Sequence, residues 1–302
     1  MANLILISLF PLIGLIAMGY ILKHFQFLDA GFWKGAEKLN YYLLFPIMLF
    51  LNLAFAQIDP NAIQNLMLVA TAVIAVGCIV LYLLGRMHNT PSARFGVYMQ
   101  SIVRFNTYIG LAVVASLFKQ QGMTLFAILL VFCIPLVNIL SVLALTSSEQ
   151  LNVKNVCIAL AKNPLILGCI FGGLFNVLEL SLWAGLENLL KQVALCSLPL
   201  GLMCVGAALQ FSGFKRDLSP IFYNTLARML GMPALAILFC HLLNIPKLET
   251  QIVVLFFALP TASASYVLTK VLGGDSRLMA SIISIQTVCA ALSLPFILWW
   301  VI

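Results

Sequence analysis

The sequence predicts an all-α polytopic membrane protein, on the basis of its composition, its ten apolar stretches and an internal repeat. Of the 302 residues, 63% are hydrophobic and 8% are charged, and the mean hydropathy is +1.10. Soluble domains carry about 25% charged residues, so this chain has too few polar side chains to cover a globular surface. The net charge of +7 is therefore interpreted by its position relative to the bilayer, and no nucleic-acid partner is expected.

Ten apolar stretches have roughly the 20-residue length that a helix needs to cross a bilayer. Five of them precede a polar segment at residues 146–162, and five follow it. We therefore predict ten transmembrane helices. The predicted spans cover residues 4–22, 39–56, 66–85, 93–118, 123–145, 164–180, 193–211, 221–243, 251–272 and 278–302.

The two halves of the chain match at a nearly constant offset, which indicates an internal duplication of residues 1–152 and 153–302. A single match has little weight because Leu and Ile are abundant, but breaks and prolines in one register are harder to obtain by chance. The pairs at an offset of 153 are Pro11-Leu12-Ile13 with Pro164-Leu165-Ile166, Gly19 with Gly172, and Pro46 with Pro199, and Asn106-Thr107 matches Pro260-Thr261 at 154.

Lysine and arginine residues concentrate in the odd-numbered loops between the predicted spans, which hold eleven against three in the even-numbered loops. Because basic loops stay in the cytoplasm, the odd loops are predicted to be cytoplasmic and both termini to lie outside. Each half has an odd number of spans, so the second half is predicted to be inverted relative to the first. Inverted repeats of this kind are typical of secondary transporters.

Polar or helix-breaking residues interrupt the fourth and ninth predicted spans at similar depths. The fourth contains Asn106 and Thr107, and the ninth contains Pro260, which removes a helical hydrogen bond and clashes with the preceding turn. At a rise of about 1.5 Å per residue, both interruptions lie roughly 17 Å into the membrane, near its midplane. We predict that both helices are broken and cross there, since irregular backbone at this depth must be buried in protein or line a cavity.

The predicted breaks have the chemistry of an anion site. Each break starts a half-helix whose free N–H groups and positive dipole end suit an anionic group, and the nearby amide and hydroxyl side chains add donors. The alternative is that these side chains only satisfy backbone groups freed at the breaks. The candidate substrate-binding residues at the crossing are Asn106, Thr107, Pro260, Thr261, Ser263 and Ser265.

Two arginines lie well inside predicted spans, where a charge costs roughly 2.5–3.5 kcal/mol at the helix centre. Arg104 is predicted to pair with a substrate carboxylate, to neutralise carbonyls at the end of the first half-helix, or to pair within the helix bundle. Arg228 has no break beside it in the sequence, and we expect a structural or snorkelling role. Gln100 and Asn52 are predicted to line the cavity, and Phe45 to form an apolar wall. Four further polar residues are expected to join helices through hydrogen bonds, namely Asn138, Asn176, Asn224 and Gln286.

Four motifs carry a resemblance that covers nearly the whole chain. They are Arg104-Phe105-Asn106-Thr107 with Gly110, Asn163-Pro164-Leu165-Ile166, Pro199 through Gly206-Ala207, and Ala258-Leu259-Pro260-Thr261. Through them the chain resembles the auxin efflux carrier family, which includes plant pin-formed auxin exporters and bacterial malonate and other organic-acid permeases.

The resemblance implies that helices four and nine cross in an X, that helices 1, 2, 6 and 7 form a scaffold, and that helices 3–5 and 8–10 move as an elevator within a homodimer. It also implies transport of a small organic anion across a bacterial inner membrane by alternating access. The chain lacks the long central hydrophilic loop of the plant members, and Phe105 stands where they have a proline. A small carboxylate such as malonate is therefore favoured over auxin.

The mode of energy coupling is left open by the sequence. No Asp or Glu lies in the middle of a predicted span, so no carboxylate proton relay is visible. Carbonyls near Phe105 and Leu259, at the ends of the first half-helices, are candidate ligands for Na⁺. Potential-driven, proton-coupled and sodium-coupled transport are all compatible with these features, and no cofactor is expected.

Three alternatives carry less weight than an organic-anion carrier. The nearest is a sodium-coupled carrier of the bile-acid type, which shares the crossed-helix plan. An enzyme is not expected, because the chain has no HExxH motif, no intramembrane Asp pair and no Ser-His arrangement at one depth. A receptor is disfavoured because no soluble signalling domain is attached. The eight cysteines include no CxxC pair and are interpreted as small apolar residues, without a metal site.

Overall fold

The computed structural model describes residues 2–57, 59–145, 158, 162–211 and 217–301, with side chains from residue 7 onward. Within these ranges the chain is all-helical, at 85% helix and with no strands. Most of the polar segment 146–162 lies outside the described residues, as do Cys157 and three of the counted loop cations, Lys154, Lys215 and Arg216. Six helical stretches are long and apolar enough to cross a membrane, namely Ile7–His24, Pro60–Met87, Ser92–Leu145, Ala184–Ala208, Leu218–Leu242 and Ser276–Val301.

Six α-helices make up the described part of the first half. Aspartates begin two of them: the Asp29 carboxylate accepts the Phe32 N–H at 2.6 Å, and the Asp59 carboxylate accepts the Asn61 N–H at 2.9 Å. A π-helical turn at Asn40–Leu44 joins α2 to α3. The helices are α1 (Ala2–His24), α2 (Ala30–Leu39), α3 (Phe45–Ala54), α4 (Pro60–Met87), α5 (Ser92–Val103) and α6 (Thr107–Leu145).

Seven α-helices make up the described part of the second half. A second π-helical turn, Ala227–Gly231, separates α9 from α10. Both π-helical turns lie directly before a helix with proline in its first positions, Pro46 and Pro233, which lack the N–H needed to continue the α-helical ladder. The helices are α7 (Pro164–Val177), α8 (Ala184–Ala208), α9 (Leu218–Leu226), α10 (Met232–Leu242), α11 (Lys247–Ala258), α12 (Ala264–Val271) and α13 (Ser276–Val301).

The first predicted break is present between α5 and α6. Arg104 leaves the helical conformation, with φ −82° and ψ 144°. Asn106 then restarts the helix, because its side-chain oxygen accepts the N–H groups of Tyr108 at 3.1 Å and Ile109 at 3.2 Å. An N-cap asparagine therefore begins the second half-helix at a break that contains no proline.

The second predicted break is present between α11 and α12. Leu259 adopts φ −67° and ψ 143°, the extended conformation that steric contact imposes on a residue before proline. Pro260 therefore ends α11 at Ala258, and residues 259–263 are non-helical before α12 begins. Both interruptions follow from local side-chain chemistry.

The connection between the fourth and fifth predicted spans is shorter than the sequence suggests. The spans are predicted to stop at residue 118 and resume at 123, but the helix α6 runs from Thr107 to Leu145. Only Lys119 is non-helical, with φ 51° and ψ −147°. A single residue in the left-handed half of conformational space thus kinks α6 without an extended loop.

Glycines bring the backbones of α1 and α8 into contact. A Cβ atom on Gly19 would lie 2.0 Å from the Met203 carbonyl oxygen, and one on Gly206 would lie 1.8 Å from the Ile16 carbonyl oxygen. The helices α3 and α7 approach similarly, since a Cβ on Gly168 would lie 2.6 Å from the Pro46 carbonyl oxygen. Small residues at membrane helix interfaces allow such close packing.

We predict that Gly19→Val lowers the thermal melting temperature of the detergent-purified protein strongly, because the new side chain must push α1 away from the α8 backbone. Overpacking typically costs about 1–3 kcal/mol, and here the obstacle is backbone that cannot rotate away. The matched control is Gly14→Val on the same helix, where a Cβ would meet nothing within 4 Å. Equal melting temperatures for the two variants would contradict close packing at Gly19.

Candidate functional site

The two helix breaks touch each other. The backbone N–H of Asn106 in the first break donates to the carbonyl of Pro260 in the second at 2.7 Å. Beside this contact, the rings of Phe105 and Phe256 pack with their centroids 4.2 Å apart. The broken helices α5–α6 and α11–α12 therefore meet at their interruptions, as the matched depths predict.

Arg228 reaches the same point from the π-helical turn between α9 and α10, and its side chain is fully buried. Its Nε donates to the Leu259 carbonyl at 2.7 Å, and its Nη1 donates to the Ile102 carbonyl. Of the two roles expected for Arg228, these contacts support the structural one, and a fully buried guanidinium excludes snorkelling. Arg228 is far from both breaks along the chain, and helix packing brings it to them. The sequence therefore did not predict this contact.

A cavity of ≈ 530 Å³ lies beside the crossing and is lined by residues from α2, from the turn after α2 and from both breaks. The predicted residues that reach it are Arg104, Asn106, Thr107 and Ser263. The other polar lining residues were not predicted from the sequence, although the spacing of Lys34 and Lys38 places them on one face of α2. These further polar lining residues are Lys34, Glu37, Lys38, Tyr41, Tyr42 and Tyr108.

Asn106 lines this cavity and has a side-chain nitrogen whose donors are unused. Its side-chain oxygen is occupied by the cap of α6, and only 2% of the residue is exposed. Its Nδ2 has no hydrogen-bond partner among the described residues. Because a buried amide nitrogen without a partner is costly, a ligand group in the cavity would be favoured there. The adjacent Thr107, the first residue of α6, adds a hydroxyl and the positive end of the helix.

Arg104 brings a positive charge to the cavity without an acidic partner. Its Nη2 donates to the Asn138 side-chain oxygen, and its Nη1 donates to the Gln100 side-chain oxygen at 3.4 Å. None of the ion pairs among the described residues involves Arg104. Neutral amides thus orient the guanidinium and leave its charge available to an anion. Asn138, predicted to join helices, here also supports a cavity residue.

Gln100 does not line the cavity, contrary to the prediction. It is fully buried, and its Nε2 donates to the Thr269 hydroxyl on α12 at 2.8 Å while its oxygen accepts from Arg104. Gln100 therefore links the two broken helices and positions Arg104. The direction of its side chain is set by contacts with α12, which the sequence of α5 alone does not reveal.

The polar residues after Pro260 separate into one cavity residue and two buried ones. Ser263 lines the cavity, whereas Thr261 and Ser265 are fully buried. The Thr261 N–H donates to the Gln286 side-chain oxygen at 2.9 Å, and its hydroxyl lies 2.8 Å from the Ser101 carbonyl. The Ser265 hydroxyl has no partner among the described residues. Thr261 thus satisfies backbone and neighbouring helices, which is the alternative that its sequence position left open.

Phe45 and Asn52 do not line the cavity either. Phe45 is fully buried and stacks on Tyr108, with ring centroids 4.6 Å apart, so Tyr108 forms the wall and Phe45 supports it from behind. Asn52 donates to the Met48 carbonyl at 2.8 Å on its own helix, and its carbonyl accepts from Gln120 at 3.1 Å. Asn52 therefore belongs to the contact between α3 and α6 near the kink.

The remaining polar residues act as predicted, through hydrogen bonds between helices. Gln286 on α13 donates to the Asn224 side-chain oxygen on α9 at 3.0 Å. Asn176 on α7 donates to the carbonyls of Ala54 at 3.1 Å and Ala56 at 2.8 Å. These contacts join neighbouring helices and satisfy polar groups inside the protein.

Comparison with known families assigns the chain. The model of a family described as membrane transport protein matches residues 4–298, which is nearly the whole chain. Comparison with curated protein sequences finds no significant match. The family match gives no support to a carrier of the bile-acid type, and the members of the matched family are transporters rather than enzymes. The two helix breaks and this match together lead to one conclusion: the chain is an integral membrane protein of the auxin efflux carrier family of membrane transport proteins.

Proposed function

We propose that the protein is a secondary carrier that moves a small organic anion, such as malonate or a related carboxylate, across a bacterial inner membrane. One observation carries the proposal: the same cavity is lined by Arg104, which has no acidic partner among the described residues, and by Asn106, whose amide nitrogen has no hydrogen-bond partner among them. Charge-assisted hydrogen bonds to a carboxylate are roughly twice as strong as those between neutral groups. A cavity of ≈ 530 Å³ accommodates a small carboxylate together with water.

Ten spans arranged as two inverted five-helix repeats are part of this proposal. Gly19 on α1 approaches Met203 on α8, and Gly172 on α7 approaches Phe50 on α3, where a Cβ would lie 2.0 Å and 2.6 Å from the respective carbonyl oxygens. Gly172 follows Gly19 by 153 residues, and Met203 follows Phe50 by 153. The two contacts are therefore equivalent under the repeat, as a two-fold axis in the membrane plane requires.

Alternating access by an elevator movement is supported by how the helices group. The predicted scaffold spans 1, 2, 6 and 7 correspond to α1, α3, α7 and α8. These helices pack through glycines as the pairs α1–α8 and α3–α7. Ion pairs hold the predicted moving helices to one another. Arg94 on α5 pairs with Asp217, which precedes α9, at 2.7 Å and with Asp275, which precedes α13, at 3.5 Å. The cavity lies between α2 and the crossing, so a substrate bound there would lie at the boundary of the two groups.

The proposed orientation follows from the charges at the mouth of the cavity. Lys34 and Lys38 line it, and both belong to the first loop region, which the excess of basic residues assigns to the cytoplasm. We therefore propose a cytoplasm-facing cavity, with both termini outside. The resemblance further favours a homodimer whose scaffold helices form the contact between subunits.

The decisive experiment is uptake by the purified protein in liposomes, with a panel of labelled monocarboxylates and dicarboxylates and with or without ion gradients. We expect saturable uptake of at least one small carboxylate, which unlabelled carboxylate reduces. Protein-free liposomes and neutral amide analogues provide the background. Absence of uptake for every acid in the panel, under every gradient, would contradict the proposed function.

We predict that Asn106→Ala lowers carboxylate uptake at least tenfold, as measured by initial rates in liposomes. A hydrogen bond to a charged group contributes about 1.5–3 kcal/mol, and about 1.4 kcal/mol corresponds to a tenfold change. Because alanine also removes the cap of α6, Asn106→Asp is the matched control: it keeps a capping oxygen but replaces the donor with a negative charge. Asn106→Asp should fold normally and still fail to transport, and parental uptake in that variant would remove Asn106 from the site.

We predict that Arg104→Gln weakens carboxylate binding more than binding of a neutral analogue, because the substitution removes charge while retaining donors. Binding of malonate and of malonamide is measured by calorimetry on the purified protein. The control is Arg86→Gln, which removes one charge from the exposed end of α4 away from the cavity. Equal losses for both ligands would assign Arg104 a structural role.

A further inference from the structure

An apolar cavity of ≈ 270 Å³, here called the apolar groove, is lined mainly by α1, α6 and α13. Among the described residues it shares no lining residue with the cavity at the helix breaks. Its wall includes the buried Leu9, whereas Ile13 and Val288 are 39% and 49% exposed, so the groove is open on the side that faces lipid. The Thr287 hydroxyl in its wall already donates to the Ile283 carbonyl at 2.7 Å. A cavity with such walls stays dry and accepts apolar molecules.

One face of α1 lines the apolar groove over about the thickness of one leaflet. Tyr20 follows Leu9 by 11 residues, which is about 17 Å at a rise of about 1.5 Å per residue, and half of the hydrocarbon core is roughly 15 Å. Tyr20 lies about one turn before His24, where α1 ends. The groove thus extends from the polar end of α1 into the bilayer interior, which is the depth range of one acyl chain. Its lining residues on α1 are Leu9, Leu12, Ile13, Ile16, Ala17 and Tyr20.

A second cavity of ≈ 280 Å³, here called the basic pocket, continues the groove at the end of α1. The two cavities share Tyr20, Leu209 and Phe211, and the rings of Tyr20 and Phe211 pack edge to face with centroids 5.6 Å apart. Lys23 and His24 line the basic pocket, and none of its described lining residues is acidic. None of the ion pairs among the described residues includes Lys23. A lysine ammonium without an acidic partner therefore lies at the end of an apolar groove.

We propose that the apolar groove and the basic pocket together bind one anionic phospholipid, with an acyl chain in the groove and the headgroup phosphate at Lys23 and His24. A headgroup with net negative charge matches the charge of Lys23, whereas a zwitterionic headgroup also brings a cation that Lys23 repels. Basic pockets between transmembrane helices on the cytoplasmic side bind anionic headgroups. The end of α1 belongs to the first loop region, which is cytoplasmic in the proposed orientation.

A lipid in this site contacts both groups of helices in the proposed elevator. The groove has α1 of the predicted scaffold on one side and α6 and α13 of the predicted moving group on the other. Beside the basic pocket, the Gln210 N–H donates to the Ser284 hydroxyl oxygen at 2.8 Å and joins the segment after α8 to α13. Movement of α13 past α1 changes the shape of the groove, so a bound lipid stabilises the present arrangement. This consequence rests on the proposed function, whereas lipid binding itself does not.

The headgroup is tested by native mass spectrometry of the detergent-purified protein, titrated with dioleoylphosphatidylglycerol or dioleoylphosphatidylcholine without substrate. We expect the wild type to bind its first phosphatidylglycerol about fivefold more tightly than phosphatidylcholine, as one cation beside an anionic lipid predicts. Lys23→Gln should remove this preference. The matched control is Arg86→Gln, which removes a charge from the exposed end of α4 on the same predicted side of the membrane and should keep the preference.

The acyl chain is tested by filling the groove. Ala291→Phe places a ring in its lining, and Leu292→Phe is the matched control because Leu292 is 80% exposed and is not among the residues that line the groove. Dioleoylphosphatidylglycerol should raise the melting temperature of the wild type and of Leu292→Phe, and it should have little effect on Ala291→Phe or Lys23→Gln. Inorganic phosphate, which has the charge without the chain, should raise none of these melting temperatures.

The inference is overturned if the wild type binds the two lipids equally, or if Lys23→Gln and Arg86→Gln lose the preference equally, since that indicates a general attraction to the surface. Stabilisation by inorganic phosphate alone, or undiminished stabilisation of Ala291→Phe by phosphatidylglycerol, also overturns it. So does a change in the number of protomers in Lys23→Gln with lipid binding unchanged, which assigns the groove to a contact between subunits. If Ala291→Phe does not fold, Lys23→Gln still decides. Absence of carboxylate uptake would contradict the proposed function and leave these binding measurements valid.

Discussion

The contact between the two helix breaks is the interaction on which the rest of the structure depends. Broken backbone at membrane depth is tolerated only where its polar groups find partners inside the protein. Three groups provide them here: the Asn106 side chain caps α6, the Asn106 N–H donates to Pro260, and Arg228 binds carbonyls of both broken helices. Without these partners, the half-helix ends that face the cavity would be unstable in lipid.

The two intramembrane arginines differ in solvent access, and this difference separates their roles. Arg104 is oriented by the amides of Gln100 and Asn138 and reaches the cavity. Arg228 donates hydrogen bonds to backbone carbonyls and has no exposed surface. A charge that faces water in a cavity attracts a counter-ion from solution, whereas a charge enclosed by helix ends stabilises the fold around it. Together they give the crossing a positive character suited to anions.

Close glycine contacts and the open cavity involve mostly different helices. The glycine interfaces α1–α8 and α3–α7 bring backbone against backbone and leave no space for side-chain rearrangement. The cavity is bounded on one side by α2 and on the other by the broken helices. We propose that the glycine-packed helices stay fixed while the second group moves as a unit, in the manner of an elevator.

Composition and local chemistry in the sequence were sufficient to determine the membrane class, the helical fold and both breaks. Pro260 and Asn106 act on the backbone within a few residues, so their effects can be predicted without knowing the neighbours. Tertiary structure alone decided which side chains face the cavity, because the rotation of each helix depends on the helices packed against it. This is why Thr261 and Gln100 are buried although the sequence predicts them to bind substrate, and why the sequence did not predict the contacts of Arg228 with both breaks. Their positions depend on partners more than 20 residues away.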